Sequence, residues 1–138
     1  MTGADLVTLT VDAMVHGGSA MGRDATGRAV FVDGALPGET VTARLTAVRE
    51  RYAHAVLAAL PEAPSPERIL EPRCPLFGRW PERGEQPGRC CGGCHWGHVD
   101  YGAQLRFKTD ILRDALVHLG RIAEPLVEPA VGMPDPWA

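Results

Sequence analysis

Four cysteines, Cys74, Cys90, Cys91 and Cys94, carry the chemistry most readily available to this chain, and three of them fall in the stretch RCCGGCHWGH from Arg89 to His98. Cys91 and Cys94 are separated by Gly92 and Gly93. Two thiolates at that spacing can grip one metal centre from a tight turn, and glycines between them let backbone N–H groups approach sulfur. Cys74 supplies a third thiol from upstream, in EPRCPLFG. The donor set leaves the metal open. Cys74, Cys91 and Cys94 are three ligands of an iron–sulfur cluster that wants a fourth, or, with His98, a Cys3His zinc site in which His95 or Cys90 could substitute. A third reading makes the cysteines plain thiols in a Gly-rich loop. The absence of a strand–CxxC–helix unit of a βαβ fold argues against a thioredoxin-like redox pair.

Where those thiols end up depends on the framework around them. Chain length, 138 residues and 14.8 kDa, suits one ordinary domain or a small domain with part of another. Apolar residues make up 45% and charged residues 22%, a globular balance. The formal charge of −3 excludes a protein whose overall field draws in nucleic acid, so any RNA contact must come from a local patch. Of fourteen cationic side chains only Lys108 is not arginine, which favours forked contact with phosphate. The opening MTGADLVTLTVD has neither a basic leader nor an apolar core, and the longest apolar run, Ala55 to Leu60, is too short to span a bilayer. A cytoplasmic protein without membrane contact is expected. In that reducing compartment clustered cysteines point to metal or redox roles rather than disulfides.

The first sixty residues alternate as half-buried strands do. Val7, Leu9 and Val11 oppose Thr8, Thr10 and Asp12; a second apolar strand follows at Ala29 to Val32 after glycine breaks. DGALPGE forms a turn at Pro37 and Gly38. Then Val41, Ala43, Leu45 and Ala47 are expected inward against Thr42, Arg44, Thr46 and Arg49, and YAHAVLAAL gives a further strand. Short antiparallel strands in this number suggest a small closed barrel, since closure removes exposed edges. The prolines 61, 64, 66, 72 and 75 mark a boundary, giving a barrel over residues 1–61 and a cysteine-rich loop with a helix over 62–138. Between Cys74 and Cys90 the Gly-, Pro- and charge-rich residues read as an exposed loop. From Asp100 to Arg121 the spacing becomes helical, with Leu105, Ile111, Leu112, Ala115, Leu116 and Leu119 as the apolar stripe and Gly120 as the stop.

For nucleic acid, the best cationic patch is Arg44, Arg49, Arg51 and His54, placed on two successive strands, with Arg23 from the Gly-rich loop; Asp24 and Glu50 offset part of that field. Tyr52 could stack a base, and Trp96 is placed to shield the thiol site. Arg106, Lys108, Arg113 and Arg121 are balanced by Asp100, Asp110 and Asp114 and read as a solvated helix face.

With these strings assembled, the chain resembles the N-terminal part of a TRAM-domain RNA uracil-5-methyltransferase, a class of S-adenosylmethionine-dependent enzymes that make 5-methyluridine in ribosomal or transfer RNA. HGGSAMGR, VFVDGALPGETV and YAHAVLAALPEAPSPERILEPRCP resemble the TRAM signature and its exit; CGGCHWGHVDYGAQLRFKTDILRDALVHLGR resembles the cluster loop and following helix; PAVGMPDPWA resembles the approach to a central domain. The resemblance implies a mainly β fold with one long helix: a five-stranded, OB-like barrel that binds rRNA or tRNA, then a loop holding a 4Fe-4S cluster through Cys74, Cys91 and Cys94. The fourth ligand, the methyl-donor site and the nucleophile would belong to later domains, so no catalytic residue is expected in these 138 residues, and the working partner is a C-terminal methyltransferase domain. A monomer is expected. Two features depart from the family pattern, an insertion from Arg79 through Arg89 and the extra thiol of Cys90, which could replace Cys91 or complete the site.

Overall fold

The computed structural model describes residues 6–77 and 93–137. Five strands, β1 (Leu6–Met14), β2 (Ala20–Arg23), β3 (Ala29–Asp33), β4 (Thr40–Val48) and β5 (Tyr52–Leu57), precede a single helix, α1 (Tyr101–His118). The strands close in the order β1-β2-β3-β5-β4, with β4 returning to β1. Neighbours are antiparallel except β3 and β5, which run parallel because β4 lies between them in sequence and beside β1 in space. The fold is therefore the small closed barrel that the alternation implied, with the five strands, OB-like form and single long helix that the resemblance implied.

The inward set is Leu9, Val11, Met14, Ala20, Val30, Val32, Val41, Ala43, Ala53 and Ala55, all buried. Alanine is frequent here because opposing walls of a narrow barrel approach closely. Gly22 shows the limit: a Cβ there would sit 2.3 Å from the Thr10 carbonyl oxygen, so β1 and β2 can meet at this point only without a side chain. Leu36 and Ala35 from the β3–β4 turn, with Val99 and Ala103 from the second half of the chain, belong to the same buried core cluster as the strand residues.

Two expectations are corrected by the register. A bulge between Leu45 and Ala47 turns β4 over, so Ala47 pairs with outward His54 instead of pointing inward. In α1 the residues facing the barrel core are Ala103, Phe107 and Ile111, spaced four apart, whereas Leu112 and Leu119 are exposed. Of the expected stripe Ile111 packs against the core, and the rest of the packed face is Ala103 and Phe107. Leu105 turns toward the tail, where a Cβ on Gly132 would meet its Cδ1 at 2.7 Å. Asp100 caps the helix, its carboxylate accepting from the Ala103 N–H. Among the described residues no helix is long and apolar enough to cross a membrane.

Candidate nucleic-acid interface and thiol loop

The cysteine-bearing excursion is pinned at its foot. Arg68, in the proline-rich stretch, and Val99, just before α1, form an isolated antiparallel bridge; Ile69 N–H donates to the His98 carbonyl at 2.8 Å and Asp100 N–H to the Glu67 carbonyl at 2.9 Å. All four cysteines lie between those two pinned arms. The arms are held to the barrel by a buried ion pair: Arg68 Nε and Nη2 each donate to a Glu39 carboxylate oxygen at 2.6 Å, and the two side chains are 3% and 0% exposed. Glu39 also accepts from the Leu36 and Ser65 amides, and Arg68 Nη2 donates to the Gly34 carbonyl. Burial pushes the Glu39 carboxyl up, but Arg68 and those two amides outweigh it and hold the group below the usual carboxylate range. Neither residue stands out in the sequence, because Glu39 is a single charge in a turn, Arg68 sits beside Glu67 in a proline-rich segment, and the partners are 29 residues apart.

Beside this pair lies His98, buried and stacked on the Phe77 ring at 5.4 Å. Its pKa falls to about 4, chiefly through desolvation and secondly through the positive charge of Arg68. The Ala35 backbone slightly favours the charged form, yet neither ring nitrogen has a partner in good hydrogen-bond geometry. Trp96 Nε1 donates to the Gly18 carbonyl at 2.9 Å and its ring meets Phe107 edge-on. Gln104 then holds the Trp96 and Val99 carbonyls from α1, each at 3.0 Å.

Cys74 is half-buried and Cys94 exposed, and both are free thiols; Cys90 and Cys91 lie outside the described residues. Cys94 borders a groove of about 500 Å³ lined also by Trp96, Tyr101, Lys108 and Trp137. Arg73, next to Cys74 in sequence, lies over the ring of Trp137, a residue of the groove lining, at 5.7 Å. A cysteine at the rim of the groove and a second next to a residue that touches its lining are soft donors of the kind an iron–sulfur group takes. Among the described residues no three His, Cys, Asp or Glu side chains come together around one point, so a full ligand set needs residues beyond them. The buried, neutral imidazole of His98 has the chemistry of a zinc ligand, though its ring is packed against Phe77 and near the Glu39–Arg68 pair.

The cationic candidates divide. Arg23, Arg44 and His54 stand on the outer face of the continuous β2-β3-β5-β4 sheet: Met21, Phe31, His54 and Ala47 form one cross-strand row, Arg23, Ala29 and Tyr52 the next, and Asp33, Val56 and Arg44 the row on the other side. Arg49 and Arg51, expected on strands, stand instead in the exposed turn joining β4 to β5. Arg23, Arg44, Arg49 and Arg51 make no ion pair among the described residues; the pairs there use Arg28, Arg68, Arg106 and Arg113. Asp24 does not cancel Arg23, since its carboxylate accepts from Thr26 and Arg28 and is held at about 2, mainly by the Thr26 hydroxyl. Phe31 is a member of this face that residue type alone does not single out. Its signal is the alternation of Ala29, Phe31 and Asp33 against Val30 and Val32, which puts a large ring on the outward side.

Residues 6–58 match the model of the TRAM domain. The chain therefore carries a TRAM domain on a closed five-stranded barrel. Over nearly all of its length it is also similar to RNA methyltransferases: 39% identical to one of Gloeobacter violaceus over 95% of this chain, 35% to one of Halalkalibacterium halodurans over 96%, and 40% to one of Nitratidesulfovibrio vulgaris over 91%. It spans about a quarter of the length of these curated relatives, 24% to 26%. The solution structure of a conserved protein of Methanococcus maripaludis is 29% identical, covering 43% of this chain and 83% of that one, with a TM-score of 0.37. The similarity thus joins a TRAM match over the barrel to RNA methyltransferases matched over nearly the whole of this chain.

Proposed function

We propose that this chain is the RNA-docking, cluster-bearing N-terminal segment of an S-adenosylmethionine-dependent RNA uracil-5-methyltransferase, acting on rRNA or tRNA as a cytoplasmic monomer. The observation that carries the reading is the union, in one continuous stretch similar to RNA methyltransferases, of a TRAM barrel with a thiol-bearing excursion pinned to it. The barrel holds RNA, and a C-terminal domain outside these residues transfers the methyl group. Cys74, Cys91 and Cys94 hold a 4Fe-4S cluster, with a fourth ligand from elsewhere. Bound there, the cluster would tie the two arms of the excursion together through iron–thiolate bonds. The Glu39–Arg68 pair and the Trp96–Gly18 bond set where that excursion sits on the barrel.

Anaerobic purification of the full-length protein followed by iron, sulfide and zinc analysis tests the cluster. Iron and sulfide with charge-transfer absorbance, lost when Cys74 and Cys94 are changed to serine, are expected. A second reading, a zinc-stabilised nucleic-acid-binding module, is favoured by the neutral, unpartnered His98 imidazole. Stoichiometric zinc without iron, retained by this chain alone, would select it. RNA docking is tested separately by binding of labelled RNA at several salt concentrations.

A further inference from the structure

The outer wall of a small barrel is ordinarily polar, yet three rings crowd one part of this one. Parallel pairing of β3 with β5 sets Phe31 directly beside His54, with ring centroids 5.4 Å apart and planes inclined by 31°. Tyr52, on the adjacent row, stands edge-on to both, 6.1 Å from Phe31 and 5.5 Å from His54. Tyr52 is 40% exposed, His54 is exposed and Phe31 half-buried. Cross-strand ring pairs also stabilise sheets, so packing alone could explain contact among them. It does not explain why their flanks are left bare. The residues directly beside Tyr52 and His54 along the two rows are Ala29 and Ala47, too small to cover a ring face, and the remaining two are Met21 and Arg23.

The charges around this cluster point the same way. Arg49 and Arg51 lie in the turn that leads directly into Tyr52, and Arg23 shares the Tyr52 row across Ala29. None of the three is in an ion pair among the described residues. Of the nearby carboxylates, Asp24 is paired with Arg28, which leaves Asp33, accepting from the Ser19 hydroxyl at 2.5 Å, and Glu50 in the turn as opposing charges against three arginines. With a net charge of −3 the molecule as a whole does not attract a polyanion, so what binds here must be held at short range by ring faces and guanidinium groups. Bases already stacked inside a duplex cannot offer their faces to a flat protein surface. Unpaired ones can, and every base has such a face.

Resting on the RNA-docking reading above, we infer that the outer face of β3 and β5 is a stacking platform for unpaired nucleotides, with Phe31, Tyr52 and His54 taking base faces and Arg23, Arg49 and Arg51 taking the phosphates. The class of RNA it selects is a single-stranded segment, loop or bulge, not a continuous helix.

Fluorescence anisotropy of this 138-residue chain with a labelled, unstructured RNA of about ten nucleotides, within the site size of such folds, and with a perfect duplex as competitor, tests the inference. The single strand is expected to bind, and the duplex to compete at least tenfold more weakly. Tyr52→Leu combined with Phe31→Leu keeps apolar bulk but removes the π faces; affinity should fall about tenfold or more with an unchanged salt slope, since stacking contributes roughly 1–3 kcal/mol per base. Arg49→Gln with Arg51→Gln should instead flatten the slope of log affinity against log salt by about 1.4, from about 0.7 per phosphate contact on a single strand. Tyr52→Trp, which preserves stacking, should bind at least as well as the unaltered chain and show fluorescence quenching on binding. This variant decides the matter if the leucine variants unfold. Unchanged affinity in folded leucine variants, no quenching of the introduced indole despite binding, or equal competition by the duplex would overturn the platform while leaving RNA docking intact. Failure of the unaltered chain to bind any RNA would overturn both.

Discussion

Between Leu6 and Leu57 the strands are held by each other, rung by rung around a closed ladder, and the loss of any one rung is shared among its neighbours. The described arms from Ser65 to Phe77 and from Gly93 to Asp100 are held differently: the Arg68–Val99 bridge joins them to each other, and the buried Glu39–Arg68 pair, the bonds of the Ser65 amide to Glu39 and of Arg68 to the Gly34 carbonyl, the burial of Val99 and the indole bond of Trp96 fasten them to the barrel. A chain can thus carry a cooperative unit and an appendage docked by a few polar anchors within the same small molecule. The contrast also places the vulnerability. In the barrel, backbone close approach is the weak point; in the appendage, single side chains are.

The anchor offers the most severe test of this contrast. Arg68→Met leaves the Glu39 carboxylate buried without its counterion, and urea unfolding should register a loss of about 3–5 kcal/mol. Adding Glu39→Gln to Arg68→Met should recover much of that loss, because the uncompensated charge is gone. Equal destabilisation by the single and double variants would show that the pair contributes shape and not charge compensation.

Next in size is a pH effect. His98 has a folded pKa of about 4 against an ordinary value near 6.5, so the unfolded chain takes up its proton first as pH falls. Its contribution is whole above pH 6.5 and drains away toward pH 4, by about 2 kcal/mol at pH 4.5. The Glu39 carboxyl is held low, so its contribution is present above its ordinary pKa and is lost only as pH falls below that, which separates the two windows. Stability measured from about pH 7 to about pH 4.5 should therefore slope downward in the unaltered chain and lie flatter in His98→Phe. Parallel slopes would sink the assignment.

Two glycines set the regions side by side. Gly22→Ala drives a Cβ to 2.3 Å from a backbone oxygen in the barrel wall, whereas Gly97→Ala drives one to 2.7 Å from the Phe77 ring, a side chain able to give way. Thermal unfolding should show Gly22→Ala costing about 1–3 kcal/mol and Gly97→Ala less. The reverse order would mean that Phe77 is fixed as firmly as the strands. Smallest is Trp96→Phe, which keeps a ring but drops the bond to Gly18, for a loss of about 1 kcal/mol. Hydrogen exchange should show it as faster opening near Val99 while β1 to β5 stay protected.

What could be read without coordinates followed from period. Alternation of Leu9 and Val11 with Thr8, Thr10 and Asp12 depends only on the pleat of a strand, and it implied the barrel. Helical spacing located α1 but only the Ile111 edge of its buried side: Ala103 and Phe107 join Ile111 on the core while Leu112 and Leu119 are exposed, because the buried face is chosen by what the helix packs against. The thiols, Arg23, Arg44 and His54 were visible as residue types. That Arg23, Arg44 and His54 share an outer wall, that Arg49 and Arg51 sit in a turn, and that Phe31 joins Tyr52 and His54 were decided by strand register.

Strands, helix, thiol spacing and family resemblance are all written in neighbouring residues, need no partner from afar, and so were open to reading from the chain's order of residues. The Glu39–Arg68 anchor, the burial of His98 and the ring cluster on β3 and β5 came into being only when the chain closed on itself. Each of those joins residues some twenty or more positions apart, and no local pattern of hydrophobicity or charge records which distant group will close the contact.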